Sequence, residues 1–256
     1  NSGKARPRPR AVHRKWRNVD FHELRDTAPD RIVKRVAARP RFAAAVLLPV
    51  LSFPMLSGPF TSAGTESKRR RALPLPKGVA AMQTFTPDSS IVSDVIPSPN
   101  FGERNKGRTP DMIVLHYTGM PDVEGALARL CQAGTEVSAH YVVLEDGRIV
   151  QCVPEEKRAW HAGVSQWRGR ERCNDFSIGI ELEGIDGDVF TDAQYESLLA
   201  LLPVLRMQYP IQHVAGHEHI APGRKKDPGK GFSWRFLQQS LGWPDEFFST
   251  CDSTSA

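Results

Sequence analysis

The amino-acid sequence predicts an α/β domain, with a mixed central β-sheet flanked by helices, preceded by a largely disordered N-terminal extension. Two observations predict this fold class. From residue 110 onward, short apolar runs alternate with segments of helical periodicity, an order typical of a sheet with helices packed on it. Residues 1–41, in contrast, are rich in Arg and Pro and show no clear apolar period, which indicates disorder.

The charge of the 256-residue chain is unevenly distributed. Residues 1–81 contain 18 Lys and Arg against 5 Asp and Glu, a net charge of +13. Residues 82–256 contain 16 against 24, a net charge of −8. The basic character therefore belongs to the extension and gives no support to a nucleic-acid-binding function for the whole chain. We expect no nucleic-acid partner, no stable membrane partner and a monomer.

An apolar segment at residues 42–60 follows basic residues and precedes small polar ones, which resembles a secretory signal. Its three prolines disfavour that interpretation, and disfavour a membrane-spanning helix more strongly. Met82 opens sequence of a different character and would be a sensible natural start. We therefore divide the chain into an extension, 1–81, and a domain, 82–256, whose core lies at about 95–245.

The cysteines indicate the compartment. There are four, with no CxxC pair, too few for a disulfide scaffold in a chain of this length. They fit a reducing environment, so we expect a cytoplasmic protein, with export through the segment 42–60 as the alternative. The four are Cys131, Cys152, Cys173 and Cys251.

Five short apolar runs predict strands, and an Asp-Gly pair at residues 146–147 predicts a hairpin between the second and the third. The runs are residues 112–115, 139–144, 149–153, 177–182 and 213–217.

Capping residues predict three helices. Asp122 precedes a helix with one apolar face, Thr191 and Gln194 form a capping box before a second, and Ser233 precedes a closing helix at residues 234–241. Pro203 lies inside the second helix, and we expect it to kink that helix or end it early.

Two predicted strands each end in a histidine, His116 and His217, and Asp227 follows in a loop stiffened by two prolines. Two imidazoles and a carboxylate leave the fourth position of a tetrahedral zinc ion open, which is the pattern of a catalytic site. One Zn²⁺ per chain is therefore expected. His219 lies two residues from His217 and is a competing candidate ligand.

Glu181 lies in the apolar strand Ile178-Gly-Ile-Glu-Leu-Glu183, where a carboxylate is costly without a role or a partner. Burial would raise its pKa toward the range useful for proton transfer. Glu183 is nearer the strand end, and we interpret it as solvated or structural. In the later loop, Lys225 shares a face with Asp227 and can bind an oxyanion, whereas Lys226 faces away.

Five motifs in order resemble the type-2 N-acetylmuramoyl-L-alanine amidases, a family related to phage amidases and animal peptidoglycan recognition proteins. The likeness covers roughly residues 95–245, and the stretch 157–184 is most similar to the cytosolic AmpD-type enzymes that recycle anhydro-muropeptides. The motifs are His116-Tyr-Thr-Gly119, Val137-Ser-Ala-His140, Arg158-Ala-Trp-His-Ala-Gly163, Ser177-Ile-Gly-Ile-Glu-Leu-Glu-Gly184 and Gly216-His217 with Ile220-Ala-Pro-Gly-Arg-Lys-Lys-Asp-Pro-Gly229.

The resemblance implies a peptidoglycan-recognition-like fold, a zinc site and a muropeptide substrate. It assigns zinc binding to His116, His217 and Asp227, acid/base catalysis to Glu181, and oxyanion stabilisation to Lys225. The remaining candidates are substrate-binding residues, namely Trp160, Arg172, Tyr117 and His161. The chain departs from the enterobacterial pattern at Glu136, which replaces Arg, and at Tyr117, which replaces Asn.

The predicted function is hydrolysis of the amide bond between N-acetylmuramic acid, in its 1,6-anhydro form, and L-alanine during cell-wall recycling. Two alternatives stay open from the sequence. One is an exported amidase that acts on intact peptidoglycan, and the other is a non-catalytic peptidoglycan-binding module on the same fold.

Overall fold

The computed structural model describes residues 73–79 and 84–248. Within them the strands are β1 (Asp94–Val95), β2 (Phe101–Gly102), β3 (Met112–Tyr117), β4 (Tyr141–Val143), β5 (Ile149–Gln151), β6 (Arg158–Ala159), β7 (Gln166–Trp167), β8 (Arg170–Glu171), β9 (Ser177–Leu182) and β10 (His213–Gly216). The α-helices are α1 (Val123–Cys131), α2 (Asp192–Gln208), α3 (His217–Ile220) and α4 (Trp234–Leu241), and short 3-10 helices lie at Asn105–Gly107, Cys173–Asp175 and Asp245–Phe247.

Six strands form the central sheet, in the order β1-β5-β4-β9-β3-β10. Neighbouring strands are parallel except for the antiparallel pair β4 and β5. The sheet is therefore mixed, which confirms the predicted fold class. Its middle strands β3 and β9 are almost entirely buried, as expected for parallel strands covered on both faces.

Two apolar clusters form the core. The first joins α1 to β4 and β5, and its members include Leu127, Leu130, Val142 and Val150. The second includes Met112, Val114, Ala162, Phe176 and Ile220. Met112 and Val114 share one face of β3 with His116, because side chains alternate along a strand. His116 therefore lies where the second cluster ends, at the carboxyl end of β3.

The predicted caps and the predicted hairpin are confirmed. Asp122 accepts a hydrogen bond from the backbone N of Gly125 at 2.8 Å, and Thr191 and Gln194 form the capping box that begins α2. The turn between β4 and β5 places Gly147 at φ +82°, a conformation that favours glycine.

Two boundary predictions are wrong. Of the two effects expected of Pro203, a kink or an early end, the early end is wrong, because helix α2 runs on to Gln208. All five of its leucines are buried in the core, and this burial outweighs the loss of one backbone N–H. The last predicted strand ends at Gly216, and His217 is instead the first residue of α3.

One short segment before Met82 packs on the domain. Leu73 and Val79 are partly buried and pack against the cluster that contains α1, so residues 73–79 contact the domain although we assigned them to the extension. The apolar segment 42–60 and Cys251 lie outside the described residues. Among residues 73–79 and 84–248, no helix is both long enough and apolar enough to cross a bilayer.

Candidate metal and catalytic centre

His116, His217 and Asp227 meet at one point, and all three are buried. His116 Nδ1 lies 3.0 Å from His217 Nδ1 and 2.9 Å from Asp227 Oδ2. His217 Nδ1 lies 3.0 Å from the same carboxylate oxygen. Three potential ligand atoms therefore converge from three separate parts of the chain.

The fold positions these side chains through strand pairing and one close backbone approach. Strands β3 and β10 are adjacent and parallel, with Leu115 paired to Gly216, so the two histidines that follow lie side by side. A Cβ atom on Gly216 would lie 2.7 Å from Pro228 Cδ, so glycine is needed where the Asp227 loop crosses β10. The backbone N of Glu218 then donates to the Asp227 carbonyl at 2.9 Å.

The protonation of these groups suits a divalent cation. Burial lowers the pKa of His116 to about 4, which keeps its ring neutral. Burial alone would raise the pKa of Asp227, but the adjacent rings of His116 and His217 outweigh it and hold that pKa well below its usual range. Ligand atoms on a tetrahedral zinc ion are about 3.3 Å apart when each bond is about 2.0 Å. The observed spacing is close to this, so the residues fit zinc.

The Nε2 atoms of His116 and His217 also have close polar contacts. His217 Nε2 lies 3.0 Å from the Ala162 carbonyl, to which it can only donate. His116 Nε2 lies 3.0 Å from His161 Nδ1. A proton on Nε2 leaves the Nδ1 lone pair for a metal, as is usual for metal-binding histidines.

Glu181 lies beside this cluster on β9, where its Cα pairs with that of His116. The residue is partly exposed, but Oε2 is buried and has no hydrogen-bond partner in the part of the chain that the structure describes. Burial raises the pKa of Glu181 well above its ordinary value, with a further rise from Asp227, and Lys225 opposes both. Among the described residues, Oε2 therefore has no structural role that would explain its burial.

Lys225 lies on the exposed rim of the site. Its positive charge lowers the pKa of both His116 and Glu181, so the ammonium group lies within electrostatic range of the cluster. Its backbone N donates to the Ala221 carbonyl at 3.0 Å, which holds the start of the loop in a turn. Lys226 is exposed as well.

Two of the four candidate substrate-binding residues, Trp160 and Arg172, are at least partly exposed. Trp160 is partly exposed, and its backbone N donates to Ser138 Oγ at 2.9 Å. Arg172 has a positive φ of 62°, and its Nε lies 3.3 Å from Asp175 Oδ2. It lines a cleft of about 540 Å³ together with Gly163, Val164, Ala221, Pro222 and Arg224, among others.

Tyr117 ends β3 and is partly exposed. Because side chains alternate along a strand, it points to the face opposite His116. Partial burial raises the pKa of its hydroxyl, and the charge of Asp186 adds to the rise. Its position is therefore beside the cluster rather than within it.

Three other residues have structural contacts. His161 is buried against His116 and does not lie on an open surface. Glu183 Oε2 accepts from the backbone N of Glu145 at 2.9 Å, in keeping with the structural interpretation. His219 Nδ1 lies 2.9 Å from the backbone N of Gly216, and the residue is not part of the three-ligand group.

Sequence reasoning missed Arg224. One of its terminal nitrogens donates to the carbonyls of Ala162 and Val164 at 2.8 and 2.6 Å and lies 3.3 Å from His217 Nε2. It thereby ties the Asp227 loop to the segment that carries His161. Its position in a basic loop gave no signal of this role, because such residues are usually solvated.

Two imidazoles and one carboxylate that could hold a metal ion, beside a buried carboxylate oxygen with no partner among the described residues, form the arrangement expected of a hydrolytic centre rather than of a structural metal site. The fold and the site together are those of a hydrolase.

Comparison with known proteins identifies the family of hydrolases. Residues 106–230 match the Amidase_2 family, described as N-acetylmuramoyl-L-alanine amidase. The 1,6-anhydro-N-acetylmuramyl-L-alanine amidase AmpD of Escherichia coli is 46% identical over 158 residues, which cover 54% of this chain and 86% of that protein. AmpD of Haemophilus influenzae is 41% identical over 163 residues, 56% of this chain and 89% of that protein.

A crystal structure of a selenomethionine AmpD derivative shares the fold, with a TM-score of 0.51 and 41% identity over 60% of this chain and 96% of that one. The chain therefore belongs to the N-acetylmuramoyl-L-alanine amidase family and is an enzyme of that activity.

Proposed function

We propose that this amidase hydrolyses the bond between 1,6-anhydro-N-acetylmuramic acid and L-alanine in peptidoglycan fragments, with one zinc ion held by His116, His217 and Asp227. The observation that carries the proposal is the convergence of these three ligand atoms beside Glu181 Oε2. The anhydro form of the sugar is supported by the AmpD relatives, whose names state it.

A zinc ion held by these residues would supply an activated water molecule and a Lewis acid for the scissile carbonyl. Glu181 takes the proton of the attacking water and delivers it to the alanine nitrogen as that nitrogen leaves. Its raised pKa suits both steps, because it makes the carboxylate a stronger base for the first step and leaves the protonated form as the acid for the second. Lys225 stabilises the negative charge that develops on the carbonyl oxygen.

Different residues are proposed to bind the sugar and the peptide of the substrate. Trp160 offers an aromatic surface for the sugar, and Arg172 offers a cation in the cleft for the carboxylates of the peptide. Tyr117 borders the cluster from the side of Asp186. Arg172 and Arg224 line the cleft with Glu171, and their positive charge would favour an anionic fragment although the domain as a whole is negative.

We further propose that the enzyme is a cytoplasmic monomer that acts in cell-wall recycling. The three described cysteines, Cys131, Cys152 and Cys173, are free and buried, which suits a reducing compartment. A mature N-terminus near residue 65 in cells would contradict the cytoplasmic location and favour export.

The substrate proposal is tested by mass spectrometry of products. The protein is incubated separately with a 1,6-anhydro-muropeptide, its reducing-end counterpart and intact sacculi, with Glu181→Gln as the inactive control. We expect fastest release of an L-alanine-terminated peptide from the anhydro form. Release from intact sacculi alone would contradict the recycling role, and no release at all would contradict the proposed activity.

A further inference from the structure

His161 connects the candidate metal centre to strand β9 through a chain of hydrogen bonds. Its Nδ1 lies 3.0 Å from His116 Nε2, and its Nε2 lies 3.2 Å from Ser177 Oγ. Ser177 Oγ in turn lies 2.7 Å from the Cys173 carbonyl. The four residues are buried, so these contacts are shielded from competing water.

The direction of donation along this chain follows from its last contact. A carbonyl oxygen only accepts, so the Ser177 hydroxyl donates to Cys173 and its oxygen accepts from His161 Nε2–H. A neutral His161 then presents the lone pair of Nδ1 to His116 and accepts its Nε2–H. This arrangement leaves the Nδ1 lone pair of His116 directed at Asp227 and His217.

The surface of β9 is shaped to admit the His161 ring. Ser177, Gly179 and Glu181 alternate onto one face of the strand. A Cβ atom on Gly179 would lie 2.4 to 2.7 Å from ring atoms of His161, closer than any contact that can be accommodated without movement. The backbone N of His161 also donates to Asn174 Oδ1 at 3.1 Å, which holds the backbone that carries the ring.

We propose that His161 is a positioning residue for the metal centre, which orients His116 and fixes its tautomer, and that Gly179 is required because it makes room for the His161 ring. This inference rests on the proposed zinc site. It gives His161 a role on the inner side of the centre, where it does not touch substrate.

Metal affinity is the property that such a residue controls. Loss of the hydrogen-bond partner of a metal-binding histidine typically lowers metal affinity or activity by about 10- to 100-fold. Zinc affinity can be measured by competition with a chromogenic chelator, which needs no substrate. The absorption spectrum of the Co²⁺-substituted protein reports the ligand geometry independently.

The first comparison uses His161→Phe and His161→Asn. Phenylalanine keeps the ring volume but has no acceptor, and we expect zinc affinity to fall by about 10- to 100-fold with an altered Co²⁺ spectrum. Asparagine places Oδ1 near the position of Nδ1 and can accept from His116, so we expect most of the affinity to return. Equal, native-like affinity in both variants would overturn the proposal.

The second comparison uses a double-mutant cycle of His161→Ala and Gly179→Ala. If the added methyl group acts by displacing the His161 ring, Gly179→Ala weakens zinc binding in the native background and has no further effect when His161 is already alanine. Fully additive losses would overturn the role of Gly179. If one of these variants does not fold, Ser177→Ala tests the same series of hydrogen bonds. We expect it to cause a smaller loss of zinc affinity.

These results are distinguishable from failure of the proposed function. A native protein that binds no zinc would contradict the metal site itself. If the native protein binds one zinc ion and His161→Phe binds it with the same affinity, only the positioning role is contradicted.

Discussion

At the scale of single residues, Glu181 and Lys225 separate catalysis from metal binding. Glu181 has a buried oxygen without a partner in the described part of the chain, and Lys225 is exposed on the rim with its charge acting on the cluster. Neither belongs to the three-ligand group. Substitutions at these positions should therefore alter turnover and leave zinc bound.

For Glu181→Gln we expect turnover to fall by about 10²- to 10⁴-fold, because an amide cannot accept the proton of the attacking water. Zinc content, measured by atomic absorption, should stay at one per chain. A variant that loses zinc together with activity would show that Glu181 is a ligand or a structural residue instead.

For Lys225→Ala we expect turnover to fall by about 10²- to 10³-fold, roughly 2.7–4 kcal/mol, the usual effect of removing one oxyanion donor. The change should appear in kcat rather than KM, because the oxyanion exists only near the transition state. Lys226→Ala is the matched control, with the same charge one position along. A damaging Lys226→Ala beside a mild Lys225→Ala would show that our interpretation of the loop is wrong.

Sequence reasoning selected His116 and His217 because each ends a predicted apolar strand. It selected Asp227 because this residue lies in a loop stiffened by two prolines. The role of His161 could not be predicted in the same way. Its ring reaches His116 only because β9 carries a glycine at residue 179, and this depends on packing between segments distant in the chain. The same holds for Arg224, whose carbonyl partners lie some 60 residues away.

At the scale of secondary-structure elements, α2 shows which signals in the sequence are dependable. Its start follows from local chemistry, since a capping box needs only residues 191–194, and that prediction is confirmed. Its continuation past Pro203 depends on burial of its leucines, which is a property of the folded domain. The two-residue strands β1, β2, β6, β7 and β8 are too short to show any periodicity, so they could not be predicted.

Thr191→Ala tests the contribution of the cap. The Thr191 hydroxyl accepts from the backbone N of Gln194 at 3.2 Å and donates to the Glu145 carbonyl at 2.8 Å, which also ties α2 to the hairpin. We expect a loss of about 1–2 kcal/mol in the free energy of unfolding, measured by urea denaturation. Thr191→Ser keeps both bonds and should lose little, and equal losses in the two variants would contradict this account.

At the scale of the whole molecule, the catalytic domain and the segment before it can be separated experimentally. We propose that the domain from Met82 onward folds and cleaves substrate without residues 1–81, since every residue assigned to the centre lies downstream. Residues 73–79 pack on the domain without reaching the centre.

A chain that begins at Met82 should therefore keep its activity but be less stable than one that begins at residue 73, by about 1–3 kcal/mol for the lost contacts of Leu73 and Val79. Urea denaturation and product release measure the two properties separately. An inactive or unfolded chain from Met82 would show that the preceding residues are part of the domain.

The central claim is that the amidase works through one zinc ion held by His116, His217 and Asp227. Its most direct test is to remove metal with a chelator and titrate zinc back while following both binding and amide cleavage. We predict that activity is lost on removal and returns in proportion to zinc up to one equivalent per chain, and that Asp227→Ala neither binds the ion tightly nor recovers. Full activity in the metal-free protein, or full recovery of Asp227→Ala, would contradict the account.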